Sequence, residues 1–275
     1  MSFLKESRIQ SLNAKSADKS DITIQIHDQF TGSNPILGFS VKSMLGQKST
    51  LFNAGPGTNF IFNVEGLELA TVDIKKINID TYQQKNKIGE RFNSIESLGG
   101  GKFKNIQSEI LQLNLGLIDG DLPEILAYML KIRFQTGNNR VNDLIEHLEL
   151  KNPLSYNQLY DHPFYRYKII RFLYDTALGM TPETVWNGEI KANGGIIVVK
   201  NDGDILAYHT YHKSKFEDYL LNNTCLEQPA TSEDENDPGT EMTKDKYPDK
   251  KNIKNFKFGW LYVEDEPFHL KFFPP

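Results

Sequence analysis

Cysteine is all but missing from this chain. Cys225 stands alone, so no internal disulfide and no all-cysteine zinc centre can form, and a reducing, cytoplasmic setting is expected. Long apolar runs are missing too. The start MSFLKESRIQ carries no hydrophobic signal core, and no stretch approaches the ~20 apolar residues a spanning helix needs. Secretion and contact with a membrane are therefore not expected. A large excess of one charge is also absent: the formal net charge is −5 over 275 residues. Bulk attraction to nucleic acid is thereby excluded, while a local basic groove inside an acidic whole stays compatible with it. The sequence shows no internal repeat.

What is present suits an ordinary core, with 39% hydrophobic and 24% charged residues, enough for one large domain or two small ones. Its first sixty-odd positions carry strand patterning in ITIQI, ILGFSV and FIFNV, set between Gly, Asn, Pro and Ser clusters. The segment STLFNA, with Ser49 as N-cap, is expected to cross to FIFNV. From about Ile88 the apolar spacing lengthens to three and four, in LPEILAYMLKIRF, RVNDLIEHLEL and PFYRYKIIRFLYDTAL, which predicts helices. A hairpin is expected in GGIIVVKNDGDILAYHTY, turning at Asn201-Asp202-Gly203, and a short helix in FEDYLLNNT. The polar, acidic stretch EQPATSEDENDPGTEMTKDKYPDKKN has no periodicity and reads as a mobile loop. Strand character returns in FKFGWLYVEDEPFHLKFF, with Glu264 to Pro267 as its turn.

Chemistry is concentrated in SDITIQIHDQFTGSNPILGFSVKS, residues 20–43. A hairpin centred near residues 31 and 32 pairs positions whose numbers sum to about 63, which would set Asp21 opposite Lys42. Asp28, at the turn, would lie ~20 Å from Lys42. Because side chains alternate, Ser40 shares the face of Lys42 while Val41 points the other way. A carboxylate, a strand carbonyl and a lysine so gathered can hold Mg²⁺ and a water beside it, since Mg²⁺ takes oxygen ligands and retains several waters. Such a set could hydrolyse a phosphodiester. A solvated cross-strand ion pair, worth about 0–1 kcal/mol, is the plainer alternative, and spacing alone leaves both open.

KSDITIQI followed by LGFSVKSMLGQKSTLFNAGPGTNFIF resembles the catalytic heart of HpaII-type restriction endonucleases, within the PD-(D/E)xK nuclease superfamily. The resemblance covers residues 15–65 well and the helical middle more loosely. It implies an α/β fold, with a restriction-endonuclease-like mixed sheet flanked by helices and a C-terminal β-rich extension. A nuclease core over residues 1–120 would carry the catalytic hairpin, and residues 121–275 would pack on it and contribute DNA recognition. The implied activity is Mg²⁺-dependent cleavage of double-stranded DNA at a short palindrome, CCGG, by a homodimer. Asp21 matches the metal-binding aspartate and Lys42 the lysine of the D/E-x-K element, with Val41 lending its carbonyl to the metal.

Three departures accompany the match. Ser40 stands where the superfamily has its second carboxylate, and Glu6, Glu65 and Glu68 are the nearest acids in sequence. The resemblance also implies more chain ahead of the catalytic strand than twenty residues, so a truncated, weakened copy is expected. The acidic run in QPATSEDEND falls where basic residues would meet DNA. These departures support the alternative of a DNA-binding or interaction protein that keeps the fold without cutting.

Other motifs signal less. Gly55, Gly57 and Asn59 in TLFNAGPGTNF could approach a phosphate but suit a plain turn. SLGGGKFK lacks the spacing and the Ser or Thr of a phosphate loop. Lys85, Lys87, Lys102, Lys104 and Arg91 could form a positive zone. His209 and His212, three apart on a strand, would face opposite ways and make a poor metal pair. Arg133, Arg140, Arg166 and Arg171 are candidates for reading guanine, and Cys225 reads as a buried thiol.

Overall fold

The alternating front of the chain folds as expected into two antiparallel strands, β1 (Ile22–Gln25) and β2 (Ile36–Ser43). The computed structural model describes residues 19–27, 31–45, 49–52, 58–63, 86–97, 99–227, 255–258 and 260–263. After β2 come β3 (Thr50–Phe52), β4 (Phe60–Asn63), α1 (Lys87–Ser97), β5 (Lys102–Ile106), α2 (Glu109–Ile118), α3 (Leu122–Thr136), α4 (Val141–Lys151) and α5 (Phe164–Leu178). The predicted hairpin is β6 (Gly195–Val199) and β7 (Ile205–His209), followed by α6 (Lys213–Asn223), β8 (Thr224–Glu227), β9 (Asn255–Phe258) and β10 (Trp260–Val263). The result is a mixed α/β fold with six helices among the described residues. None of those helices is long and apolar enough to cross a membrane.

The site-bearing sheet has the order β1-β2-β6-β7. Its central pair is parallel, with Phe39 beside Gly195 and Lys42 beside Val198, while both flanking pairs are antiparallel. A strand from the second half of the chain thus completes the sheet begun by the first. Two smaller sheets, β3-β10-β8 and β5-β4-β9, incorporate the C-terminal strands foreseen in the sequence.

Helix signals act locally. Ser108 caps α2 by accepting the Leu111 amide at 3.2 Å. Pro123 sits in the first turn of α3, and Gly137 ends it in a left-handed conformation at φ 77°. Along α3, Leu122, Ile125, Leu126, Met129, Leu130 and Phe134 are buried, the spacing that turns one helical stripe inward. Each is worth roughly 1.5–3 kcal/mol of burial. Phe92 of α1 ties this core to a sheet, edge-on to Phe62 at 5.3 Å and stacked with Phe134 at 6.2 Å between centroids.

Glycine is required where β2 meets its neighbours. A Cβ on Gly38 would come within 2.4 Å of the Ser20 hydroxyl, and one on Gly195, which has φ +120°, within 1.9 Å of the Tyr208 carbonyl oxygen. The Gly38 amide donates to Asn193 Oδ1 at 2.7 Å, so the 191–194 segment holds β2 from the side.

Four local expectations change. STLFNA does not start a helix: Thr50–Phe52 is a strand, and the Ser49 hydroxyl donates to the Ser43 carbonyl at 2.6 Å instead of capping. A β-branched and an aromatic residue favour pairing, and so short a segment cannot repay helix nucleation. Arg91 is buried, so it adds nothing to a surface positive zone. His209 ends β7, and His212 lies in the 3-10 turn Thr210–His212, so the two do not share a strand. The hairpin register also differs, as described below. Cys225 is a buried thiol, as read from the sequence. Asp28, Gly55, Gly57, Lys85, the acids Glu6, Glu65 and Glu68, the polar run 228–254 and the Glu264–Pro267 turn lie outside the described residues.

Candidate active site

In β1 and β2, Ile22 pairs with Phe39, Thr23 with Gly38, Ile24 with Leu37 and Gln25 with Ile36. These numbers sum to 61, two below the sequence-based expectation. The start of β1 therefore lies beside Ser40 and not directly across from Lys42. The regular ladder stops at Ile22, and Asp21 bends, donating its amide to the Phe39 carbonyl at 2.9 Å. Irregularities of this kind re-aim a side chain at the end of a strand. Here the bend turns the carboxylate across β2: Asp21 Oδ2 accepts the Val41 amide at 2.6 Å and the Ser40 hydroxyl at 3.3 Å.

Strand geometry extends this picture to the Val41 carbonyl. In an extended strand, the N–H and C=O of one residue project to the same side. The Val41 amide points at Asp21, so its carbonyl also faces the side of β2 where β1 has ended. Both hydrogen bonds to Asp21 fall on Oδ2, which leaves Oδ1 available. Ser40 is buried beside them.

Lys42 follows two residues later and is half-buried. Its ammonium donates to the Thr50 carbonyl of β3 at 3.5 Å, a long contact that spends little of its donor capacity. Burial pushes its pKa below the ordinary lysine range, and the Asp21 carboxylate pulls it partly back. Asp21, Ser40, Val41 and Lys42 are thus brought together, although by a carboxylate bent across the strand and not by direct opposition of 21 and 42.

A fourth side chain belongs to this cluster and was missed from sequence. Lys19 is half-buried, and its Nζ donates to the Leu51 carbonyl, the next along β3, at 3.4 Å. Burial first, then repulsion from Lys42, push its pKa down to about 7 against the opposing pull of Asp21. The available signal was the two-residue alternation continued one step back from Asp21.

The donors suit a hard cation. One carboxylate, one main-chain carbonyl and a neighbouring hydroxyl are all oxygen ligands, the set that Mg²⁺ accepts while keeping several waters. Among the described residues, no group of three or more His, Cys, Asp or Glu side chains could hold a metal. Among the described residues, Asp21 and the Val41 carbonyl are the groups that would hold an ion here.

Other candidates lie elsewhere. Arg133 donates Nε to the Leu226 carbonyl at 2.9 Å. Arg166 reaches Asn142 at 3.2 Å, and Arg171 reaches Asp175 at 3.7 Å. Arg140 directly precedes α4 and bridges Cys225 through the main chain. These arginines are engaged within the fold and do not converge on the carboxylate site. Asn59 is buried and donates to Gln107 at 3.1 Å. His209 stacks on Tyr211 at 5.2 Å.

Comparison with known proteins gives the family. The family model for HpaII restriction endonuclease matches residues 1–241. The type II restriction enzyme HpaII of Haemophilus parainfluenzae is 43% identical over 231 residues, covering 84% of this chain and 63% of that protein. The chain thus spans less than two thirds of that relative's length. No solved structure matches it.

Proposed function

The chain belongs to the HpaII restriction endonuclease family, and from that premise we propose that it cuts double-stranded DNA at a specific short site by hydrolysing a phosphodiester bond in each strand. The observation that carries this reading is the bent Asp21, whose carboxylate reaches Val41 and Ser40 beside the half-buried Lys42. A structural hairpin has no need to bury a lysine beside one carboxylate and a bend.

Asp21 and the Val41 carbonyl would hold Mg²⁺, with Ser40 as a weaker neutral neighbour. Bound there, the ion would supply positive charge to the reacting phosphate and acidify water, an effect that at strong sites moves a water pKa from 15.7 to about 7. Lys42 orients the attacking water by donating a hydrogen bond to its oxygen, and its charge offsets the negative charge gathering on the phosphate oxygens. Water oxygen bonds to phosphorus as the bond to the departing sugar oxygen breaks. Burial keeps bulk solvent from screening these charges.

The target proposed from the family resemblance is CCGG. A two-fold palindrome is best matched by a two-fold protein, so a homodimer on DNA is proposed, acting in the cytoplasm. One observation favours a second reading, DNA binding without cleavage: Ser40 replaces an acid, and Asp21 is the one carboxylate of the described cluster. Digestion of a plasmid of known sequence with Mg²⁺ separates the two. Discrete fragments ending at CCGG, lost in Asp21→Ala and Lys42→Ala, are expected. A gel shift without fragments would establish the second reading instead.

A further inference from the structure

We propose that Lys19 is a second phosphate-binding cation of this site, gripping the DNA backbone beside Lys42. The proposal rests on the nuclease reading and adds a contact that the D/E-x-K pattern does not contain. Lys19 and Lys42 reach consecutive carbonyls of β3, Leu51 and Thr50, at 3.4 and 3.5 Å. Both contacts are at the long limit for a hydrogen bond, so neither ammonium is well satisfied, and each has three donors to place.

Charge strengthens the case. Two half-buried ammonium groups, each bonded to one of two consecutive β3 carbonyls, lie in the field of one carboxylate. Like charges held together out of water destabilise a fold, and such arrangements concentrate where a ligand supplies the missing countercharge. A divalent cation at Asp21 would deepen the positive excess, so the complement must be anionic. A phosphodiester, with one negative charge and two unesterified oxygens, fits donors presented from two neighbouring lysines. Ser40 points the same way. It brings no charge to hold a further cation, whereas a lysine nearby, protonated against a bound phosphate, supplies positive charge without one.

The test is fluorescence anisotropy with a labelled duplex dodecamer containing CCGG, in EDTA so that binding is read without cleavage, over a salt series. Loss of one phosphate contact lowers the magnitude of the slope of log K against log[salt] by about 1. Lys19→Gln and Lys19→Met should show that change, with affinity down about tenfold at low salt, and Lys19→Arg should keep the wild-type slope. Two neutral variants guard against an idiosyncratic folding defect, and thermal melts confirm that each is folded. A purely structural role would leave the slope of a folded variant unmoved, and that result would overturn the proposal alone. Wild-type protein that fails to bind duplex DNA would overturn both the proposal and the nuclease reading. Binding with the predicted slope change but no fragments in Mg²⁺ would uphold Lys19 and sink cleavage only.

Discussion

Two clusters of charge show opposite logic. At the turn between α2 and α3, Lys168 of α5 meets Asp119 at 2.6 Å through both carboxylate oxygens and Asp121 at 2.9 Å. The Tyr156 hydroxyl donates to Asp121 as well, and its ring lies 5.2 Å from the ammonium. Every charged group there has a short, opposite partner. At the end of β1, by contrast, two ammonium groups lie in the field of one carboxylate, and their own hydrogen bonds, to β3 carbonyls, are long. The first cluster braces helices that are already packed. The second is left incomplete by the protein and is best completed by something that binds.

The sharpest way to break this contrast is to remove the carboxylate. Asp21→Asn still offers an acceptor to Val41, so the melting temperature should hold, while the single-turnover cleavage rate falls on the order of 10³-fold. Quenched-flow digestion and a thermal melt measure the two quantities side by side. A comparable loss of both would make Asp21 structural.

Lys168→Met should give the mirror image. Two acids lose their partner, and the fold should lose about 2 kcal/mol by urea unfolding, with cleavage by the folded fraction unchanged. Reduced cleavage at full occupancy of the folded state would erase the distinction between the clusters.

Acid should expose the brace next. The Tyr156 hydroxyl, and then Lys168, hold Asp121 below the usual carboxylate range. A depressed folded-state pKa stabilises above the unfolded value, so this contribution is present above about pH 4 and disappears as pH falls through the folded pKa. Lys168 is subject to desolvation that lowers its pKa, yet hydrogen bonds to Asp119 and Asp121 raise it overall. Its contribution is therefore complete below the unfolded lysine pKa and lost as pH climbs through the raised one. Urea midpoints across pH should show the acid-side loss vanish in Asp121→Asn. A midpoint profile that keeps the same acid limb would assign it to other carboxylates.

The smallest effect concerns Lys19. Relieving the like-charge contact with Lys19→Met should stabilise the free protein by about 0.5–1 kcal/mol. A lower melting temperature would show that the Leu51 contact outweighs the repulsion.

Much of this was legible in the sequence because its signals are local. Alternation placed β1 and β2, the three-and-four spacing of Leu122, Ile125, Leu126 and Met129 placed α3, and Asn201-Asp202-Gly203 placed the β6–β7 turn. Alternation likewise put Ser40 and Lys42 on one face. The exact register was not legible, since the residues between Ile26 and Pro35 do not declare one turn geometry, and a shift of two preserves every face while moving every partner. Lys19 was legible only as one more step of that alternation. Its role depends on carbonyls of β3 and on burial, and neither leaves a mark in a single chain of letters. The strand at Thr50–Phe52 owes its pairing to residues 260–263, which no local rule connects to it.

The parallel pairing of β2 with β6 carries a consequence for how the protein is made. Residues 39–43 bond to residues 195–199, so the strand bearing Ser40 and Lys42 has no partner on that side until residues 195–199 have left the ribosome. Long-range pairing of this kind forms slowly. On a nascent chain the proposed site therefore stays unfinished until residues 195–199 have followed residues 39–43.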